Sequence, residues 1–168
     1  TTDRRGHEVV WATLQREVKT DPAGTVRLGR YDVEADSWSW YGYRIGTTTT
    51  PGDWIGLSEI TAVGDKLAVI ERDKLNGPSA KTKRIYTVDL PSSPALSGPL
   101  RVLPKKLAHD VLPDLRAGNG WTQEKLEGLT AAGNGEVYAV TDNDGLDDAT
   151  GETTFLHLGP DREIFGRR

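Results

Sequence analysis

The sequence predicts an all-β fold of the β-propeller type, with about three four-stranded blades of an incomplete ring. Three observations lead there. Short runs rich in β-branched and aromatic residues are punctuated by 19 glycines and 9 prolines, the turn density of an all-β chain. One stretch is repeated: LSEITAVGDKLAVIERD at 57–73 returns as LEGLTAAGNGEVYAVTDN at 126–143. The runs also fall into groups in meander order, and a repeated four-stranded sheet is the unit of a propeller.

The elements follow in order. The first group is 7–18, 25–33 and 37–45, with a turn at Asp21-Pro22-Ala23-Gly24. It shows three strands, and its innermost strand is expected before Thr1. Trp38, Trp40, Tyr41 and Tyr43 lie along one strand as the packing of an outer blade. The second group is 55–63, 66–72, 83–90 and 99–107, with a Gly64-Asp65 turn and a loop at 91–98. Residues 106–118 have room for a short helix that Pro113 would interrupt. The third group is 125–132, 136–142, 153–158 and 162–166, with a turn at Gly133-Asn134-Gly135. This gives blade units of about 1–50, 54–107 and 121–168 in a single domain. So few blades cannot close a ring, and an open array leaves strand edges unpaired. The chain therefore reads as the C-terminal portion of a larger propeller, its remaining blades supplied by the same precursor or by another chain. A complete small β-sandwich is the rival architecture.

Composition removes several classes of function. The 168 residues carry 21 basic against 25 acidic side chains, a net charge of −4, which argues against a nucleic-acid groove or a basic membrane surface. No apolar run is long enough to span a bilayer. With no cysteine, disulfides and cysteine-based zinc sites are excluded. There is no methionine even at position 1, so the chain is expected to be processed or excerpted, and no signal peptide remains to be read.

The repeat also locates charge. Leu57, Ile60, Thr61 and Gly64 correspond to Leu126, Leu129, Thr130 and Gly133. In an antiparallel meander the start of one strand lies beside the end of the next. Glu59 is thus expected near Glu71, Arg72 and Asp73, joined by Lys81, Lys83 and Arg84 at the start of the third strand. In the second copy Glu127 is expected near Asp142, Asn143 and Asp144, all on one rim of the ring. Clustered carboxylates need a proton, a cation or a metal. The first cluster has cations. The loop 142–152 carries Asp142, Asp144, Asp147, Asp148 and Glu152 without lysine or arginine, a hard-oxygen set suited to Ca²⁺ or alternatively Mg²⁺. Its glycine and glutamate spacing is not that of an EF-hand, and for 147–152 alone turn chemistry is the better account. His7, His109 and His157 lack metal-ligand spacing and read as surface or packing residues, and Thr1 reads as a frayed end. Trp54 and Trp121 each precede an inner strand and are placed to wall the channel mouth.

The set GLSEITAV, LAVIERD, AKTKRIYTVDL, KLEGLTAA and EVYAVTDND resembles the phytase-like domain family described as "esterase-like activity of phytase". The likeness covers 54–158 well and the first fifty residues poorly. It implies a bacterial β-propeller, secreted or periplasmic. It also implies phosphoric-ester hydrolase activity, through a relation to calcium-dependent propeller phytases. The positions it carries over are Glu59, Glu71, Arg72, Asp73, Lys83, Arg84, Glu127, Asp142, Asn143 and Asp144.

Two functions compete. In the first, a metal-dependent hydrolase, Glu59, Arg72 and Glu127 are catalytic. Lys81, Lys83, Arg84, Glu71 and Asp73 bind an anionic phosphoester, and Glu127, Asp142, Asn143 and Asp144 hold the metal. In the second, a non-catalytic propeller binds a ligand or protein at the same rim.

Overall fold

The computed structural model describes residues 1–95, 98–118, 120–143 and 153–166. Its element order is β1 (Val9–Thr13), β2 (Thr25–Asp32), β3 (Ser37–Arg44), β4 (Ile55–Val63), β5 (Lys66–Asp73), a 3₁₀ turn (Gly77–Ser79), β6 (Lys83–Asp89), β7 (Arg101–Leu103), β8 (Lys105–Asp110), α1 (Leu112–Ala117), β9 (Lys125–Ala131), β10 (Glu136–Asp142), β11 (Phe155–Pro160) and α2 (Asp161–Phe165). The fold is mostly β, in three sheets: β1-β2-β3-β7, β4-β5-β6-β8 and β11-β10-β9. The hairpins predicted from turn chemistry form. Val63 pairs with Lys66 across Gly64-Asp65, where Gly64 supplies φ +62°, a conformation that costs glycine little.

The middle sheet is covered on both faces. Along β5, Leu67 and Val69 pack with Val26, Leu28, Tyr41 and Tyr43 of the first sheet. Their neighbours Ala68 and Ile70 pack with Leu126, Leu129, Val137 and Ala139 of the third. Period-two alternation thus sends successive residues of one strand into two different cores. The first strands of the sheets also touch in sequence, β1 with β4 and β4 with β9. The Leu57 amide donates to the Gln15 carbonyl at 2.9 Å, just beyond the end of β1.

Five expectations need correction. The run 99–107 is two strands, not one. Pro104 has no N–H to give a ladder, and the chain changes partners there. Arg101–Leu103 runs parallel to β3, while Lys105–Asp110 runs antiparallel to β6. The fourth strand of the first sheet is therefore β7, on the β3 edge, not a strand before Thr1 at the opposite edge. The run 162–166 is part of a helix, not a strand. Asp161 opens α2, and Gly166 closes it in the left-handed region at φ +64°. The third sheet accordingly has three strands among the described residues. Pro113 does not interrupt the short helix but sits in the first turn of α1, where its missing N–H costs nothing. The strand expected over 7–18 is confined to Val9–Thr13.

Helix α2 buries Ile164 and Phe165 in the core shared by the second and third sheets. Phe165→Ala should therefore lower unfolding free energy by about 3–5 kcal/mol, measured by urea titration. A midpoint unchanged from the parent would mean that this helix does not seal the core.

Candidate functional site

The two copies of the repeat share a local irregularity. In β4 the register slips between Leu57, opposite Glu71, and Glu59, opposite Ile70. In β9 it slips between Leu126, opposite Thr141, and Gly128, opposite Val140. Ser58 and Glu127 are the extra residues, at equivalent places in the repeat. Such bulges bend a strand and re-aim a side chain. The Ser58 hydroxyl donates to the Leu126 carbonyl at 2.6 Å, stitching β4 to β9. Gly128 follows the second bulge, where a Cβ would come within 2.5 Å of Val140. The hairpin register corrects one expectation. Glu59 lies opposite Ile70, one residue inside the charged end of β5, rather than among Glu71, Arg72 and Asp73.

That charged end is divided between neighbours. Glu71 points to the first sheet. It accepts from the Tyr43 hydroxyl at 3.0 Å, the Gly46 amide at 3.0 Å and the Lys105 ammonium. Burial and then the Glu71 carboxylate push the Tyr43 phenol far above its usual range. Arg72 points to the third sheet. Its two terminal nitrogens donate to Glu124 at 3.3 Å and Glu127 at 2.7 Å. The cation-bearing end of one copy thus meets the acidic start of the next. Asp73 accepts the Lys83 ammonium and the backbone amides of Lys81 and Thr82, at 2.7 and 2.8 Å. Lys83 also donates to the Leu75 carbonyl at 2.9 Å. Burial lowers the Lys83 pKa, and the Asp73 carboxylate opposes that shift.

Exposure separates these groups. Glu71, Arg72, Asp73 and Lys83 are at most 2% exposed, whereas the Glu124 and Glu127 side chains keep 34% and 32%. A solute therefore reaches the two glutamates and not Lys83, Glu71 or Asp73, which are closed inside ion pairs. Lys81 reaches the Thr50 hydroxyl at 2.9 Å. Arg84 departs from the cluster: its guanidinium turns to Asp110 at 3.5 Å on the far edge. Asp142 ends β10 with Lys125 3.9 Å away, and Asn143 follows it. Asp144, Asp147, Asp148 and Glu152 lie outside the described residues.

Glu59 has a separate setting. Its carboxylate takes the Ile60 amide at 2.7 Å. Burial raises its pKa, and the Ile60 and Leu129 amides oppose the rise. With Gly128, Tyr138, Val140 and Phe155 it lines a cleft of about 240 Å³. The two tryptophans occupy the same end of the sheets. Trp54 lies across Gly56, whose missing Cβ would meet the indole at 2.7 Å, and Trp121 lies across Gly77 in the same way at 2.5 Å. The guanidiniums of Arg16 and Arg72 lie over the Trp54 ring, 4.6 and 5.8 Å from its centre.

A further cluster escapes sequence reasoning. Asp3, His7 and Asp32 each offer a ligand atom within 4.8 Å of the others, close enough to share a metal ion. His7 Nδ1 lies 3.2 Å from Asp32, so it is not an ordinary surface residue. Thr1 is likewise held, its ammonium donating to the Val9 carbonyl at 2.9 Å. Two guanidiniums already serve these carboxylates. Arg5 reaches Asp3 at 3.0 Å and Asp32 at 2.7 Å, and Arg30 reaches Asp3 at 2.9 Å. An ion here competes with two fixed cations. The i, i+4 spacing of Asp3 and His7 was the only signal; Asp32 joins through β-pairing at long range. Lys105, Glu124 and Arg16 escaped for the same reason.

With this geometry in place, comparison with known proteins identifies the class. A family model described as "Phytase-like: Esterase-like activity of phytase" matches residues 1–145, and the chain belongs to that family. The match takes in the first fifty residues, where the motifs are weakest. No curated protein and no solved structure matches the chain.

Two measurements test this arrangement. Asp73→Ala leaves Lys83 buried without its carboxylate and should cost about 3–5 kcal/mol in urea unfolding, whereas Arg84→Ala, at a half-exposed pair, should cost under about 1 kcal/mol. Equal costs would contradict the division of these residues into closed and open groups. Acid should release the N-terminal segment. Burial tends to raise the Asp3 pKa, but hydrogen bonds from Arg5 and His7 hold it down at about 2. The stabilisation is full above the ordinary value of 3.8 and is lost as pH falls toward 2. Trp11 donates its indole N–H to Thr1 at 3.2 Å, so its fluorescence should report this transition, and Asp3→Asn should abolish it.

Proposed function

We propose that this chain is part of an exported, phytase-like β-propeller that hydrolyses phosphoric esters where the second and third sheets meet. One observation carries the reading: Arg72, buried and fixed, clamps Glu124 and a glutamate set on a bulge, Glu127, both open to solvent. Membership of the phytase-like family supports the reaction class. Outward faces support the ring. The middle sheet buries both of its faces, while Trp38 of the first sheet is 48% exposed and Phe155 of the third 69%. Further blades, from the same precursor or another chain, are the natural cover.

The donor set at this junction is all oxygen, and Glu124 stands beside Glu127, which fits a hard cation such as Ca²⁺ or Mg²⁺. Glu127, Asp142 and Asn143, with Asp144, would hold it. Such an ion polarises a phosphoryl oxygen and lowers the pKa of a bound water. The chain's own residues do the rest. Arg72 fixes the rotamer of Glu127. Glu127 orients and deprotonates the attacking water. Glu59, its carboxyl raised by burial, lines the cleft beside Gly128 and protonates the departing oxygen. Lys81 is the most open member of the expected substrate-binding set, and the half-exposed Arg84 is paired with Asp110.

The alternative is a non-catalytic propeller binding an anionic ligand or a protein at the same end. What favours it is that Arg72, Lys83 and Lys105 are each already paired with carboxylates.

Turnover of p-nitrophenyl phosphate or phytate should be abolished by EDTA and restored by added Ca²⁺. Glu127→Gln should reduce kcat by about a hundredfold or more, the scale of losing a positioned base. Hydrolysis indifferent to EDTA would remove the metal. A Glu127→Gln protein that loses only ligand affinity, with no parent turnover, would favour the binding module.

A further inference from the structure

We propose that Arg16, which the repeat does not contain and the family motifs do not touch, is the residue that grips the phosphoryl oxygens. The inference rests on the hydrolase reading above for its substrate class. It rests on separate residues for its geometry.

A phosphoester needs a cation that is charged, reachable and not already neutralised. Of the cations expected from sequence, Lys81 is open to solvent and held by the Thr50 hydroxyl, and the others do not meet that description. Arg72 is spent on Glu124 and Glu127, Lys83 on Asp73, and Arg84 on Asp110. Lys105 is spent on Glu71. Arg16 differs from all of these. It is exposed, and no carboxylate pairs with it among the described residues. It is nevertheless held in place. The neighbouring Gln15 carbonyl accepts from the Leu57 amide, which anchors this segment to the start of β4. Its guanidinium lies 4.6 Å from the centre of the Trp54 ring. That ring packs against Gly56, and Gly56 is the register partner of Arg72. Arg16 is thereby placed at the same end of the sheets as the Arg72–Glu127 pair. Stacking on an indole leaves the edge N–H groups of a guanidinium free for an oxyanion, so ring and anion do not compete.

Calorimetric titration of the full chain with inorganic phosphate tests this directly. Arg16→Ala should weaken phosphate binding about tenfold or more, as expected for loss of a charge-assisted contact. Arg16→Lys should recover part of it, because the charge remains but the fork does not. Arg101→Ala, an exposed arginine on β7, should leave binding unchanged and serves as the surface-charge control. Thermal melts should not move for any of the three. An Arg16→Ala protein that binds phosphate as tightly as the parent overturns the assignment, and so does a parent that binds none. The two readings fail separately. Phosphate binding lost with Arg16 in a protein that hydrolyses nothing leaves this inference standing and ends the hydrolase. Hydrolysis with an unchanged KM in Arg16→Ala does the reverse.

Discussion

The structure depends on three consecutive charges at the end of a strand buried on both sides. Glu71, Arg72 and Asp73 are each at most 2% exposed. In a pleated strand neighbours point in opposite directions, so Glu71 and Arg72 cannot neutralise each other. Each must find its counter-ion in a different place. Glu71 finds Lys105, Tyr43 and Gly46, Arg72 finds Glu124 and Glu127, and Asp73 finds Lys83. A buried charge left alone costs several kcal/mol. Apolar cores tolerate substitution and small shifts far better. The charges are therefore what fix how the three sheets sit on one another. Gly46 belongs to this constraint as well, since a Cβ there would come within 2.7 Å of the Glu71 carboxylate.

The same alternation joins architecture to chemistry. The ion pair that locks the second sheet to the third has one end sealed and one end open. Arg72 is the sealed end; Glu127, on its bulge, is the open end. A group held rigidly by a buried partner, yet reachable from solvent, is preorganised without being inert. Trp54 adds to this, its ring centre lying 5.8 Å from the same guanidinium.

What was readable in the sequence follows physical range. The hairpins at Gly64-Asp65 and Gly133-Asn134-Gly135 are local, and turn chemistry marks them. The meeting of a cationic end with an acidic start was legible because the two copies share an apolar frame and differ in charge. The bulges at Ser58 and Glu127 left no mark, because a register slip needs both strands to define it; Glu59 lies on the turn side of its bulge, where the Gly64-Asp65 hairpin alone sets it opposite Ile70. Ile164-Phe165-Gly166 looked like a strand because Ile and Phe favour both states when short, and only the core decides. Arg84 was placed by its position in the strand, but its side chain turns outward along the sheet to Asp110 on β8. Arg16, Glu124, Lys105 and the Asp3–His7–Asp32 group are products of long-range pairing, which no local pattern carries.

The exchange of partners at Pro104 reaches beyond the static fold. Because β7 completes the first sheet and β8 completes the second, the two sheets interlock through a segment that comes after both hairpin sets. A ribosome that has delivered β1 to β6 has delivered neither sheet whole. The first sheet waits for residues some sixty positions later than its own third strand, a high-contact-order closure that slows folding. Sequence units cut near residue 50 would consequently yield an incomplete first sheet, and evolution cannot shuffle that sheet as a cassette without carrying its neighbour along.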